Sequence, residues 1–197
     1  MAMLGQTTHV SLLRRLSEGN DPTAWQEFHD RYAELISGFA RRRQLQPADC
    51  EDIVQEVLLA LSRTMPGFRY DPGRGKFRSY LKTITLHAIF KRRAREHGEV
   101  NLEHIEQATR AAADEEDVEA AWEAEWRQYH LRQAMRTITA EFNDSDQQAF
   151  QQYAIEGRGA QETAAALNLS VDQVYQAKSR ILRRLSELVE QQVRDEG

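Results

Sequence analysis

One cysteine, four prolines and no long apolar run mark this chain of 197 residues first by what it lacks. With Cys50 alone, neither a disulfide framework nor a cysteine-based zinc site can form. No stretch approaches membrane-span length, and the first residues carry no apolar signal core, so a soluble cytoplasmic protein is expected. There is no glycine-rich phosphate loop, and His29, His87, His97, His104 and His130 show no zinc-ligand spacing. No metal, cofactor or catalytic activity is therefore expected. Cys50 falls in the first turn of an expected helix, a setting that can lower a thiol pKa, but the plain reading is a lone structural cysteine.

Scarce proline and glycine, with apolar residues three and four apart, predict an all-α chain. Val10 to Ser17 reads as a short helix closed by Gly19. Asp21-Pro22 then starts a second helix, with a capping carboxylate followed by Pro at the first helical position. Its inner face is Trp25, Phe28, Tyr32, Leu35, Ile36 and Phe39. A third helix after Pro47 buries Ile53, Val57 and Leu61, with Leu58 alongside. Its Asp52, Gln55 and Glu56 share the other face by their spacing. Met65 to Lys76 breaks the pattern with Pro66, Gly67, Pro72, Gly73 and Gly75, and carries Phe68 and Tyr70. A fourth helix follows from Phe77 to about Arg95, with Leu81, Ile84 and Ala88 inward. Phe77 reads equally as a core residue or a pocket wall.

The formal charge of −5, from 26 basic and 31 acidic residues, conceals a strong segregation. Lys76 to Arg95 holds seven Lys and Arg and no acid, whereas Glu99 to Glu125 holds ten carboxylates against Arg110 alone. A chain charged in this way should bind free DNA poorly and need help to bind it well. The acidic run marks a linker, whose second half regains helical spacing through Val118, Trp122, Trp126 and Tyr129. Ser145 with Gln148 forms a capping box for a later helix that Gly157 stops.

Gln161 to Tyr175 fits a helix-turn-helix. Ala164 is small where two helices cross, Asn168 suits a left-handed turn, and Val174 locks the second helix onto the first. Ser170 caps that second helix, with Gln173 completing the box. Burial of Val174, Ile181 and Leu185 leaves Asp172, Gln173, Tyr175, Gln176, Ser179 and Arg180 toward a major groove. Arg183 and Arg184 lie near the phosphates. An ordinary helical hairpin with a charged outer face is the bland alternative.

The segments Asp52-Ile-Val-Gln-Glu-Val-Leu58 and Tyr70-Asp-Pro-Gly-Arg-Gly-Lys-Phe-Arg-Ser-Tyr-Leu81, the basic helix and the helix-turn-helix follow one another in order. In that series the chain resembles a bacterial RNA polymerase sigma factor of the extracytoplasmic-function (ECF) group, from about Val10 to Leu188. The resemblance implies a region 2-like domain over 1–97, an acidic linker over 98–127 and a region 4-like domain over 128–197. It implies that Asp52, Gln55 and Glu56 dock on the clamp helices of the largest subunit of core RNA polymerase. It also implies that Phe68, Tyr70, Arg74, Lys76, Arg78, Lys82, His87 and Lys91 meet the −10 element as it melts, while the recognition helix reads a duplex −35 element. The linker would lie along the RNA exit path, either as a nucleic-acid mimic or as a solubilising spacer. Promoter DNA and the core enzyme are the implied partners, with room for an anti-sigma factor. Family members often carry Arg-Asn where Leu86-His87 stand and Lys-Ser-Arg where Tyr175-Gln176-Ala177 stand, so the preferred bases do not follow from the family pattern. A conventional dimeric helix-turn-helix regulator is the competing reading. A helical interaction protein, such as a sigma antagonist, would leave both basic helices unexplained.

Overall fold

The computed structural model describes residues 9–19, 21–69, 71, 77–98 and 101–195. Every regular element among them is helical: α1 His9–Glu18, α2 Pro22–Arg42, α3 Pro47–Thr64, α4 Phe77–Glu96, α5 Leu102–Ala113, α6 Glu116–Glu141, α7 Asp144–Phe150, α8 Ala160–Leu167 and α9 Val171–Asp195. The described residues divide into two compact units, one within Met1–Arg127 with Asp195 and one within Gln128–Arg194.

The first unit is built on α2. Asp21 accepts from the Ala24 backbone N–H and Pro22 opens the helix, as the start signal predicts. Arg15 of α1 donates to Asp21 at 2.7 Å and Glu27 at 2.6 Å, tying the two helices together. Arg15 in turn holds the Asp21 carboxyl well below the usual carboxylate range. Phe28 and Tyr32 sit with ring centroids 4.7 Å apart, and Phe77 of α4 meets Phe28 edge-on at 6.1 Å. All three rings are buried, each worth about 1.5–3 kcal/mol in area removed from water. Phe77 is thus a core residue and no stacking platform. Ile53, Val57 and Leu61 of α3 are buried with Cys50 and Val54. Burial raises the Cys50 thiol pKa, so its helix-start position leaves it no more reactive.

The acidic segment is helical over α5 and from the start of α6, and it packs within this same unit. Val118, Trp122, Glu125 and Trp126 are buried, and Trp122 meets Phe39 of α2 edge-to-face at 5.0 Å. α5 lies along α4, with Asn101 capping it through the backbone N–H groups of Glu103 and His104.

In the second unit, Ala134 and Ile138 of α6 join Phe150, Ile181, Leu185 and Leu188 in one core. The α7 cap is Asn143 rather than Ser145: the Asp146 N–H donates to Asn143 Oδ1 at 2.8 Å. The Asn side chain takes that donor first, which places Ser145 inside the opening turn. A π-turn, Gln151–Ile155, extends α7, and Gly157 follows with φ +72°.

Candidate nucleic-acid and partner interfaces

The C-terminal motif is built as its residues require. Asn168 ends α8 in the left-handed conformation, φ 54° and ψ 44°, and the Leu169 N–H closes back on the Ala164 carbonyl at 2.9 Å. Ser170 and Gln173 bond reciprocally, Gln173 N–H to Ser170 Oγ at 3.2 Å and Ser170 N–H to Gln173 Oε1 at 2.7 Å. Ala149, Ala164, Val174 and Ala177 form the small core that fixes α9 against α8. Asp172, Gln173, Tyr175, Gln176, Ser179, Arg180 and Arg183 are exposed on α9. Arg180 donates to Asp146 at 2.7 Å, and Arg184 donates twice to Glu141, at 2.7 Å each. That fork raises the Arg184 pKa and lowers that of Glu141. Arg183 stays open to solvent, its nearest carboxylate being Glu187 at 4.0 Å.

In the first unit, Phe68 stacks on Tyr80, centroids 5.8 Å apart and planes 16° from parallel. Tyr70, Arg74 and Lys76 lie outside the described residues. His87 and Lys91 line a cleft of about 470 Å³ between α3 and α4, floored by Leu59, Ala60, Ile84 and Ala88. The described cations of α4 are all engaged. Arg78 pairs with Glu123 and lies 5.4 Å from the Trp126 ring centroid. Lys82, buried, donates to the Ala113 carbonyl at 2.8 Å and pairs with Glu119. Lys91 and Arg95 bind the two oxygens of Glu56 at 3.0 and 2.7 Å, and these bonds, Arg95 first, hold its carboxyl below the usual range. Arg92 pairs with Asp49, and Arg93 donates to the Arg43 carbonyl at 2.6 Å. Asp52 and Gln55 are exposed on α3, while Glu56 is half-buried.

Residues 28–98, from the middle of α2 through α4, match the family model described as sigma-70 region 2. That stretch, about a third of the chain, is similar to sigma-70 region 2. No curated protein matches it. Among solved structures it is similar to CnrH in complex with the cytosolic domain of CnrY. The identity is 22%, over 91% of this chain and 95% of that one, with a TM-score of 0.35.

Sigma-70 region 2, as matched, ends before α5, yet the acidic helices beyond it supply the counter-charges for Arg78 and Lys82. Composition revealed that the basic and acidic runs are opposite in sign; it could not reveal that they touch. Two residues on these surfaces, Leu59 and Tyr153, escaped the sequence reading. Leu59 is an exposed leucine one helical turn beyond Gln55 and Glu56, a spacing visible in the sequence. Tyr153 meets Lys178 of α9, the ammonium 4.9 Å from the ring centroid. Their pairing depends on the π-turn, which no sequence signal announced. Among the described residues, no group of three or more His, Cys, Asp and Glu side chains is placed to hold a metal ion, and no helix is long and apolar enough to cross a membrane.

Proposed function

We propose that the chain is a sigma factor of the ECF group, acting in the cytoplasm, which binds core RNA polymerase and selects the promoter at which transcription starts. The observation that carries this is a match to sigma-70 region 2 followed, in a separate unit, by α8 and α9 joined at the left-handed Asn168 with polar and basic side chains exposed on α9. The polymerase performs synthesis and the chain selects the site. Asp52, Gln55 and Glu56, with Leu59 beside them, form the polymerase-binding face. An apolar side chain within a polar, partly acidic surface suits a reversible subunit contact.

Phe68, Tyr70, Arg74, Lys76, Arg78, Lys82, His87 and Lys91 engage the −10 element. Flipping a base from the duplex costs a few kcal/mol, and stacking on an aromatic ring returns about 1–3 kcal/mol per base. The stacked Phe68–Tyr80 pair supports an aromatic platform at this place. Asp172, Gln173, Tyr175, Gln176, Ser179 and Arg180 read the −35 duplex, with Arg183 and Arg184 toward the phosphates. Since Arg78, Lys82, Arg180 and Arg184 are already paired within the chain, DNA must compete with carboxylates for them. That competition lowers affinity for free DNA and leaves binding to the polymerase complex. An anti-sigma factor is a candidate further partner.

The deciding experiment is run-off transcription by core polymerase with and without the chain, over a broad promoter set from the same genome. Specific initiation that depends on the chain is expected. Tight duplex binding by the chain alone, with no added initiation, would instead identify a conventional dimeric regulator.

A further inference from the structure

Tyr175 is the one aromatic side chain on the outer face of the recognition helix, and its ring is not left to wander. It is 49% exposed, yet it meets Tyr153 at 5.5 Å between centroids with the planes 69° apart. Tyr153 comes from the π-turn after α7, a local irregularity of the kind that often marks functional sites. Its ring packs on the small core of Ala149, Ala164, Val174 and Ala177. Lys178, three residues beyond Tyr175 and therefore on the same flank of α9, places its ammonium 4.9 Å from the centre of that ring. Tyr153 is thus anchored below by the core and bounded by two side chains of the recognition helix.

An exposed tyrosine on a helix normally samples several rotamers, and a mobile ring discriminates poorly between bases. A ring fixed by an edge-to-face neighbour is pre-organised. The polar side chains of Asp172, Gln176 and Ser179 suit the donors and acceptors of base edges. The apolar feature of the major groove is the 5-methyl group of thymine, which apolar side chains, aromatic rings among them, contact. Building on the sigma-factor reading, we propose that Tyr153 is a positioning residue that fixes the Tyr175 ring to read a thymine methyl group in the −35 duplex. Lys178 is held on Tyr153 and contributes to that placement.

The test uses the full chain with core polymerase on a promoter library randomised over the −35 element. The selected promoters are then remade with deoxyuridine at each thymine in turn, which removes only the methyl group. The wild-type chain should lose initiation about fourfold at one position, the effect of one buried methyl group. Tyr175→Ala should lose that sensitivity. Tyr153→Ala should lose it as well, and Tyr153→Leu, which keeps apolar bulk on the core, should do so without loss of thermal stability. Tyr153→Phe should behave as wild type. Full uracil sensitivity in Tyr153→Leu, or none at any position in the wild type, overturns the proposal. If the wild-type chain supports no polymerase-dependent initiation, the sigma-factor reading itself fails and takes this proposal with it.

Discussion

Gly38 and Glu125 meet where only a hydrogen atom fits: a β-carbon on Gly38 would collide with the Glu125 carboxylate. That buried carboxylate accepts from Arg42 Nε at 2.7 Å, so the close approach seats an ion pair that joins α6 to α2. Gly38→Ala would gain roughly 1 kcal/mol in helix propensity and lose about 1–3 kcal/mol to overpacking and the displaced carboxylate. Net destabilisation is expected in urea unfolding. In a Glu125→Ala background the obstacle is gone, and the same substitution should stabilise. The same sign in both backgrounds would refute the steric account.

Glu119 and Glu123 occupy the cations that the −10 strand is proposed to use. Glu119→Gln with Glu123→Gln should leave the apolar seat of Trp122 intact while freeing Lys82 and Arg78. Affinity of the isolated chain for single-stranded DNA should rise several-fold, and the salt dependence should steepen by about 0.7 for each further phosphate neutralised. Fluorescence anisotropy across a salt series measures both. An unchanged slope would mean that these carboxylates do not compete with DNA.

Much of the fold was legible because the signals were local. Asp21-Pro22, Asn168 and the Ser170–Gln173 box each fix a backbone conformation within a few residues, and each stands as its chemistry requires. The helix spacing of Val118, Trp122 and Trp126 was equally plain. What it could not tell was the surface these residues bury against, since Phe39 lies more than eighty positions away. The α4 cations illustrate the same limit. As a sequence they form an uncompensated positive stripe, but Glu56, Asp49, Glu119 and Glu123 reach them from other helices. The α7 cap was misplaced because Asn143, Ser145 and their downstream acidic and amide partners offer overlapping capping patterns, and packing chose between them.

Asn168 holds its left-handed backbone without a glycine, which costs most L-residues about 1–2 kcal/mol. Asn168→Gly should leave stability within a few tenths of a kcal/mol, whereas Asn168→Val should cost about 1–2 kcal/mol. The turn sets the angle between α8 and α9, so the valine variant should also weaken −35-dependent initiation. Thermal unfolding and run-off transcription at one permissive temperature separate the two effects. A valine variant as stable as wild type would show that the turn does not constrain the motif.

Glu56 joins α3 to α4 by accepting from Arg95 and Lys91, and these bonds lower its pKa from the ordinary 4.5. A carboxyl whose folded pKa lies below its unfolded value binds protons more readily when unfolded. Its contribution is therefore complete above about pH 4.5 and fades as pH falls through the folded value. Glu56→Gln should cost up to about 1 kcal/mol near neutrality, as expected for a half-exposed ion pair. The gap between wild type and variant should close in acid, because the wild-type carboxyl is then neutral too. Urea midpoints measured from neutral pH downward follow that gap directly. A difference that stays constant into acid would show that Glu56 supports the α3–α4 contact by packing rather than by charge.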